Sequence, residues 1–153
     1  MTGKPTGHVT FRLGERCYAA PLAVVREIVR LQGLAALPDM TPPLAGVLDL
    51  RGFPLPVLDI RDRRDGADPT GDVLVLEAAA GEAPLGVVVD EVRAVVDADA
   101  LRPSGGPVAT AVLPPYVVDV LHDGGTQVFL VDLRAMFKAP PQQAASAARP
   151  GRT

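Results

Sequence analysis

Between residues 8 and 13 the chain reads HVTFRL, in which Val9, Phe11 and Leu13 alternate with His8, Thr10 and Arg12. Successive side chains of a strand point to opposite faces, so this period of two predicts a half-buried strand. Gly14, Glu15 and Arg16 then turn the chain into a second strand at 17–20. The alternation returns in LAGVLDLRGFPLPVLDI, residues 44–60. Here Gly46, Leu48 and Leu50 share one face, while Val47, Asp49 and Arg51 share the other. Gly52 can adopt a backbone conformation closed to most residues, which makes the segment a strand, a turn and a second strand. Pro54 and Pro56 are two residues apart, so their missing N–H groups fall on one edge of that second strand and predict an edge or a bulge.

Elsewhere the pattern is less uniform. In PLAVVREIV, Pro21 suits a first helical turn and Leu22, Val25 and Ile28 follow at intervals of three, which predicts a short helix. The valine content leaves a strand open. Residues 34–43 hold Pro38, Pro42 and Pro43 and read as an ordered, extended loop. The run RDRRDGADPTGD, residues 61–72, has little to bury and predicts a solvated connection between two halves. Strands are expected at 73–77 and 85–89 around a turn at Ala80, Gly81 and Glu82, and again at 91–96. Residues 101–115, rich in Pro and Gly, predict a long exposed connection. Segments 117–121 and 127–133 flank Asp123-Gly124-Gly125, a hairpin signal, and 132–137 closes in a helical turn. The ends, 1–7 and 139–153, lack an apolar period and are expected to be flexible tails.

Composition narrows the class. With 48% hydrophobic but only 4% aromatic residues, the core of this 153-residue chain must be built mainly of Val, Leu and Ala. That length suffices for one domain, or two small units sharing a core. The formal charge of −3 leaves no overall electrostatic footprint for nucleic acid or an anionic membrane. A single cysteine, Cys17, excludes an intramolecular disulfide framework. The first ten residues lack the apolar core of a signal peptide, and no apolar run reaches a membrane span, so a soluble cytoplasmic protein is expected.

Candidate chemistry is sparse. His8 and His122 have no neighbours at metal-ligand spacing, and both read as surface residues. Cys17 lacks a basic cluster to activate it and reads as a small strand residue. Ser104 and Ser146 sit in no nucleophile-elbow pattern, and no phosphate-binding loop is present. Asp62, Asp65, Asp68 and Asp72 do not follow a calcium-loop spacing, and Arg61, Arg63 and Arg64 offset their charge. Asp90 and Asp132, the only carboxylate pair worth weighing as acid and base, are better explained by strand-end turns and caps. Asp49 and Arg51 remain, as an ion pair with each other or as a surface on which Arg51 presents its planar fork to a partner.

Four segments in order, FRLGERCYAAPLAVVREIV, LAGVLDLRGFPLPVLDI, LGVVVDEVRAVV and GGTQVFLVDLRAMF, resemble the CheW-like family of bacterial chemotaxis adaptors. The resemblance implies an all-β fold of two intertwined small SH3-like β-barrel subdomains with one or two short helices. It places one domain over 8–138, the first subdomain roughly 14–72 and the second roughly 73–138 plus the first strand. It further implies no catalysis, no cofactor and no metal. The partners would be a CheA-type histidine kinase, met through barrel surfaces, and the cytoplasmic tip of a chemoreceptor, met through a groove between the subdomains. Val25, Glu27, Gly46 and Arg51 are similar to receptor-facing positions, and Pro56 and Asp59 to scaffold positions. The protein would sit in the cytoplasm at membrane-associated receptor arrays, or serve a related motility or developmental kinase pathway. Asp49, Pro54 and Asp119 depart from the family's usual Asn, β-branched residue and Gly, and bear on the particular partner.

Overall fold

The computed structural model describes residues 6–36, 38–61, 70–78, 82–103, 107 and 109–136. Strands β1 (His8–Leu13) and β2 (Arg16–Pro21) form the first hairpin, followed by β3 (Val25–Arg30), β4 (Leu44–Leu50) and β5 (Phe53–Asp59). Then come β6 (Asp72–Leu76), β7 (Leu85–Val89), β8 (Glu91–Val96), the short β9 (Arg102–Pro103), β10 (Val117–Asp123), β11 (Thr126–Val131) and helix α1 (Leu133–Met136). They build two sheets, one ordered β8-β1-β2-β11-β10-β9 and the other β3-β6-β7-β5-β4. The chain begins in the first sheet, completes the second and returns, which is how the two are intertwined. Sheet membership therefore changes after β2 and again after β7.

Burial explains why the sheets stay together. In β6 all five residues are buried, as expected of a strand covered on both faces. Leu74 and Leu76 face a core shared with Val9, Phe11 and Tyr18 of the other sheet, together with Val87 and Val89 of β7. Val73 and Val75 face the opposite way, into a core with Leu48, Leu50, Leu55 and Val57. A smaller cluster of Ala19, Leu101, Leu121 and Val128 packs on the six-stranded sheet. Tyr18 stacks on Phe11 with ring centroids 5.7 Å apart, and burial raises its phenol pKa above the ordinary value.

Several expectations are corrected. PLAVVREIV is not a helix: a single 3-10 turn, Leu22–Val24, leads from β2 into strand β3. Val24, Val25, Ile28 and Val29 are β-branched and stiff, and β6 offers a backbone edge for them to pair with. The two ends of the expected solvated connection are not solvated: Arg61 is 2% exposed and Asp72 is also buried. Residues 62–69, with Asp62, Arg63, Arg64, Asp65 and Asp68, lie outside the described residues. The stretch after β8 is not uniformly exposed, since Leu101 is buried and β9 pairs with β10. Gly7 belongs to the fold: it is buried, and its carbonyl accepts the Leu22 N–H at 3.0 Å. Residues 1–5, 79–81 and 137–153, which include parts of the expected tails and the turn at Ala80, lie outside the described residues.

β5 is an internal strand, flanked by β4 and β7, yet it carries the two prolines. Val47 exchanges both backbone bonds with Ala35, on the far side of β4, each at 2.9 Å. Pro56, opposite Val47, is therefore asked for no N–H on that side. β7 pairs with β5 only from Val57 to Asp59, so Pro54 lies beyond that ladder. The prolines thus mark a local edge within an internal strand.

Candidate protein-docking site

The β4–β5 turn is built by two residues at positive φ. Leu50 pairs with Phe53, leaving Arg51 at φ 51° and Gly52 at φ 85°, the combination that follows the twist of a tight hairpin. For a non-glycine residue this conformation costs about 1–2 kcal/mol, so the surroundings must hold Arg51 there. Asp49 is part of that support: its Oδ1 accepts the Gly52 N–H at 2.8 Å.

Arg51 itself pairs with Glu27, not with Asp49. Its Nη1 and Nη2 donate to the two Glu27 oxygens at 3.1 and 2.7 Å, a bidentate fork. The Arg51 hydrogen bonds, then the charges of Arg51 and Arg26, hold the Glu27 carboxyl below its usual pKa although burial opposes this. Glu27 accordingly stays ionised further into acid than an ordinary glutamate. Arg51 remains 67% exposed and Glu27 26%, so the pair faces solvent. Glu27 lies on β3 and Arg51 follows β4, the two outermost strands of the five-stranded sheet. Their contact requires the sheet to curl until its ends approach, and the Ala35–Val47 bridge ties the same ends through the backbone.

The other two candidate residues sit differently. Val25 is half-buried, packed against the shared core and paired with Leu76. Gly46 is buried beneath the strap that follows β3: a Cβ there would lie 2.6 Å from the Ala35 carbonyl oxygen and 3.1 Å from its carbon. Its role in any contact is therefore indirect, through the strap it admits. Gly46→Ala is expected to cost about 1–3 kcal/mol, because backbone must move on one side or the other. Chemical denaturation would measure it, and an unchanged midpoint would show that the strap yields freely.

Asp59, matched only as a scaffold position, holds a partner that the sequence reading placed in solvent. Arg61 donates Nε and Nη2 to the two Asp59 oxygens at 3.0 and 2.9 Å, and Nη1 to the Thr70 carbonyl. The available signal was Asp59-Ile60-Arg61, opposite charges two apart around an apolar residue at a strand end. Asp72 has a joining role as well, accepting from Arg30 at 3.2 Å and from the Val92 N–H at 2.8 Å, so it links β3 and β6 to β8 of the other sheet.

The remaining candidates are engaged with backbone N–H groups. Asp90 accepts the Gly14 N–H at 2.7 Å in the β1–β2 turn, and Asp132 accepts the Arg134 and Ala135 N–H groups at the start of α1. Asp132 is the cap expected of it, while Asp90 fastens a turn distant in sequence. Among the described residues no three His, Cys, Asp or Glu side chains converge as a metal set. Cys17 is half-buried at the edge of the small cluster, and His8 is half-buried with Nδ1 enclosed. One apolar groove of about 300 Å³ opens where the sheets meet, between Pro21, Val24 and Leu76 on one side and Val118, Leu130 and Leu133 on the other.

Two curled sheets around a shared core, with a seam groove and a solvent-facing ion pair, define a compact β domain whose distinctive features are surfaces. The chain belongs to the CheW-like domain family, whose model matches residues 7–140. It is 24% identical over 144 residues to a chemotaxis protein CheW of Treponema pallidum, covering 88% of this chain and 84% of that one. A chemotaxis protein CheW of Rhizobium meliloti is 27% identical over 142 residues, with 90% of each chain covered. Among solved structures, the scaffolding protein TtCheW of Thermoanaerobacter tengcongensis superposes with a TM-score of 0.63 at 23% identity, covering 86% of this chain and 87% of that one. That likeness concerns the fold.

Proposed function

We propose that this chain is a noncatalytic signalling adaptor that couples a chemoreceptor to a CheA-type histidine kinase. The observation that carries the reading is the Glu27–Arg51 pair: two residues 24 apart in sequence, both matched to receptor-facing positions, meet on one exposed surface. Family membership over nearly the whole chain and relatives named as chemotaxis and scaffolding proteins support it. An adaptor needs separate surfaces on a body that does not deform, and two sheets locked by one core provide them. The receptor tip would dock at the seam, near Val25 and the groove, with Arg51 setting orientation and Gly46 shaping the strap beside it. The kinase would use other sheet surfaces. No helix among the described residues is long and apolar enough to cross a membrane, so placement at a cytoplasmic receptor array would come through these partners.

The test uses purified chain, the kinase of the same source and a cytoplasmic fragment of its receptor, with co-elution as the first readout. Arg51→Gly is the informative variant, because glycine accepts the positive φ of the turn at no steric cost. Receptor-fragment binding is expected to weaken by about tenfold or more, while kinase binding and thermal stability hold. Equal loss toward both partners would mark Arg51 as structural. Failure of the wild-type chain to co-elute with either partner would remove the adaptor reading itself.

A further inference from the structure

In a chain with four Phe, two Tyr and no Trp, Phe53 is the one large aromatic side chain that stands exposed among the described residues, at 41%. It pairs with Leu50 across the hairpin and alternates with Leu55 and Val57, so it belongs to the row of β5 that faces the smaller core. Leu50 is buried, and Leu55 and Val57 are wholly enclosed. Alternation alone would therefore bury Phe53 as well. It stays in solvent because its strand outruns a neighbour: β7 starts at Leu85 and pairs with β5 only from Val57 to Asp59. Residues 49–56 thus form a hairpin arm that projects past the end of β7.

The arm is held in a defined place. Arg51, in its turn, reaches Glu27 with hydrogen bonds of 3.1 and 2.7 Å, and Asp49 fastens the turn through the Gly52 N–H at 2.8 Å. Glu27 pairs with Val75, which faces the smaller core, so Glu27 and Phe53 both stand on the inward face of the curled sheet and Arg51 joins their strands at its open end. The free side of the arm is also closed to strand addition. Val47, opposite Pro56, bonds outward to Ala35, which marks the Val47–Pro56 and Asp49–Pro54 pairs as those whose backbone groups point away from each other. Over residues 53–56 the side towards β7 therefore offers the carbonyls of Pro54 and Pro56 and no N–H. A partner cannot build a two-way ladder there and has side chains to recognise instead.

From this arrangement we infer that Phe53 is a specificity-determining residue of the docking surface, an apolar anchor that the Glu27–Arg51 pair holds in position. This role rests on the adaptor reading for its partner, the receptor fragment, and adds the chemistry of the contact. The receptor covers the ring with apolar side chains and meets Arg51 with polar groups beside them. Receptor rather than kinase is assigned because Phe53 is continuous with Arg51 through the turn, and Arg51 and Glu27 are the residues matched to receptor-facing positions. An aromatic ring suits an anchor, since it carries a large apolar area on two rotatable bonds and is ordered at little entropic cost. Its burial, unlike a contact made by the exposed ion pair, is not screened by salt.

The test titrates the full chain by calorimetry, once with the cytoplasmic receptor fragment and once with the kinase, at low and at high salt. Phe53→Ala is expected to weaken receptor-fragment binding about tenfold or more at both salt concentrations. Kinase affinity should stay within about twofold and the melting temperature should hold, because the ring is largely in solvent in the free chain. Phe53→Leu, which keeps an apolar side chain, is expected to retain most of the receptor affinity. Unchanged receptor binding by Phe53→Ala, with the wild type binding, would overturn the anchor and leave the adaptor reading intact. Loss toward the kinase instead of the receptor would overturn the assigned partner. A marked fall in the melting temperature of both variants would make Phe53 a cover of the core and likewise overturn the assignment. Absence of receptor binding by the wild type would remove the adaptor reading and, with it, this role for Phe53.

Discussion

Asp59→Ala is expected to lower the free energy of unfolding by about 3–5 kcal/mol, the range for removing one partner of a buried ion pair. Arg61 is 2% exposed and directs Nε and Nη2 at the two Asp59 oxygens, at 3.0 and 2.9 Å. Its own backbone N–H also donates to Asp59 Oδ1 at 3.0 Å. Alanine would remove this paired carboxylate from a guanidinium held inside the fold, which also donates to the Thr70 carbonyl. The loss combines the attraction removed with the poorer compensation of a cation kept out of water. Asp59→Leu combined with Arg61→Met should consequently recover much of the stability, since an apolar pair has no desolvation penalty to offset. Urea unfolding with an unchanged m-value would measure both variants. A loss below about 1 kcal/mol for the single alanine would mean that Asp59 is not what holds the Arg61 charge in the fold.

The second large effect is expected at Leu74. It is fully buried on β6, between Ile28 of β3 and Val87 of β7, and faces the core that both sheets share. Leu74→Ala should cost about 2–5 kcal/mol, lost transfer energy plus the cavity that a rigid surround cannot close. For a chain of this size the melting temperature should fall by about 2–4 °C for each kcal/mol. Because Phe11 and Tyr18 of the six-stranded sheet line the same core, hydrogen-exchange protection should drop in both sheets together. Two separate melting transitions, with only the five-stranded sheet affected, would contradict a shared core.

The comparison of these two sites shows what sequence can convey. Leu74 was legible: an apolar run bounded by turn-forming residues signals a buried strand, and the hydrophobic effect that buries it has no direction. Arg61 was misread, because a cation beside a charged segment looks solvated until a neighbouring strand end turns its carboxylates inward. PLAVVREIV failed for a related reason. Its spacing of three fitted a helix, but the unpaired edge of β6, 42 or more residues away in the pairing of Arg30 with Asp72, was worth more than a short isolated helical turn. Among the candidate docking residues, Arg51 and Glu27 could be named from the motifs they sit in. Their mutual contact could not, since the nearest acidic neighbour in sequence was Asp49.

The amino-acid sequence by itself determined most of the strands, the turns at Gly14, Gly52 and Gly124, the alternation that turns Leu48 and Leu50 inward and Asp49 and Arg51 outward, and the resemblance to the CheW-like family. Each rests on local backbone preference or on a period of two, which adjacent residues suffice to express. Only the tertiary structure decided that β2 pairs within the six-stranded sheet, that Gly46 lies beneath Ala35, that Arg51 grips Glu27 while Asp49 serves the turn, and that Arg134 reaches across the seam. Those choices depend on which distant groups the curled sheets bring within a few ångströms. Hydrogen bonds and ion pairs act over such distances alone, so the chain order of the residues does not reveal them.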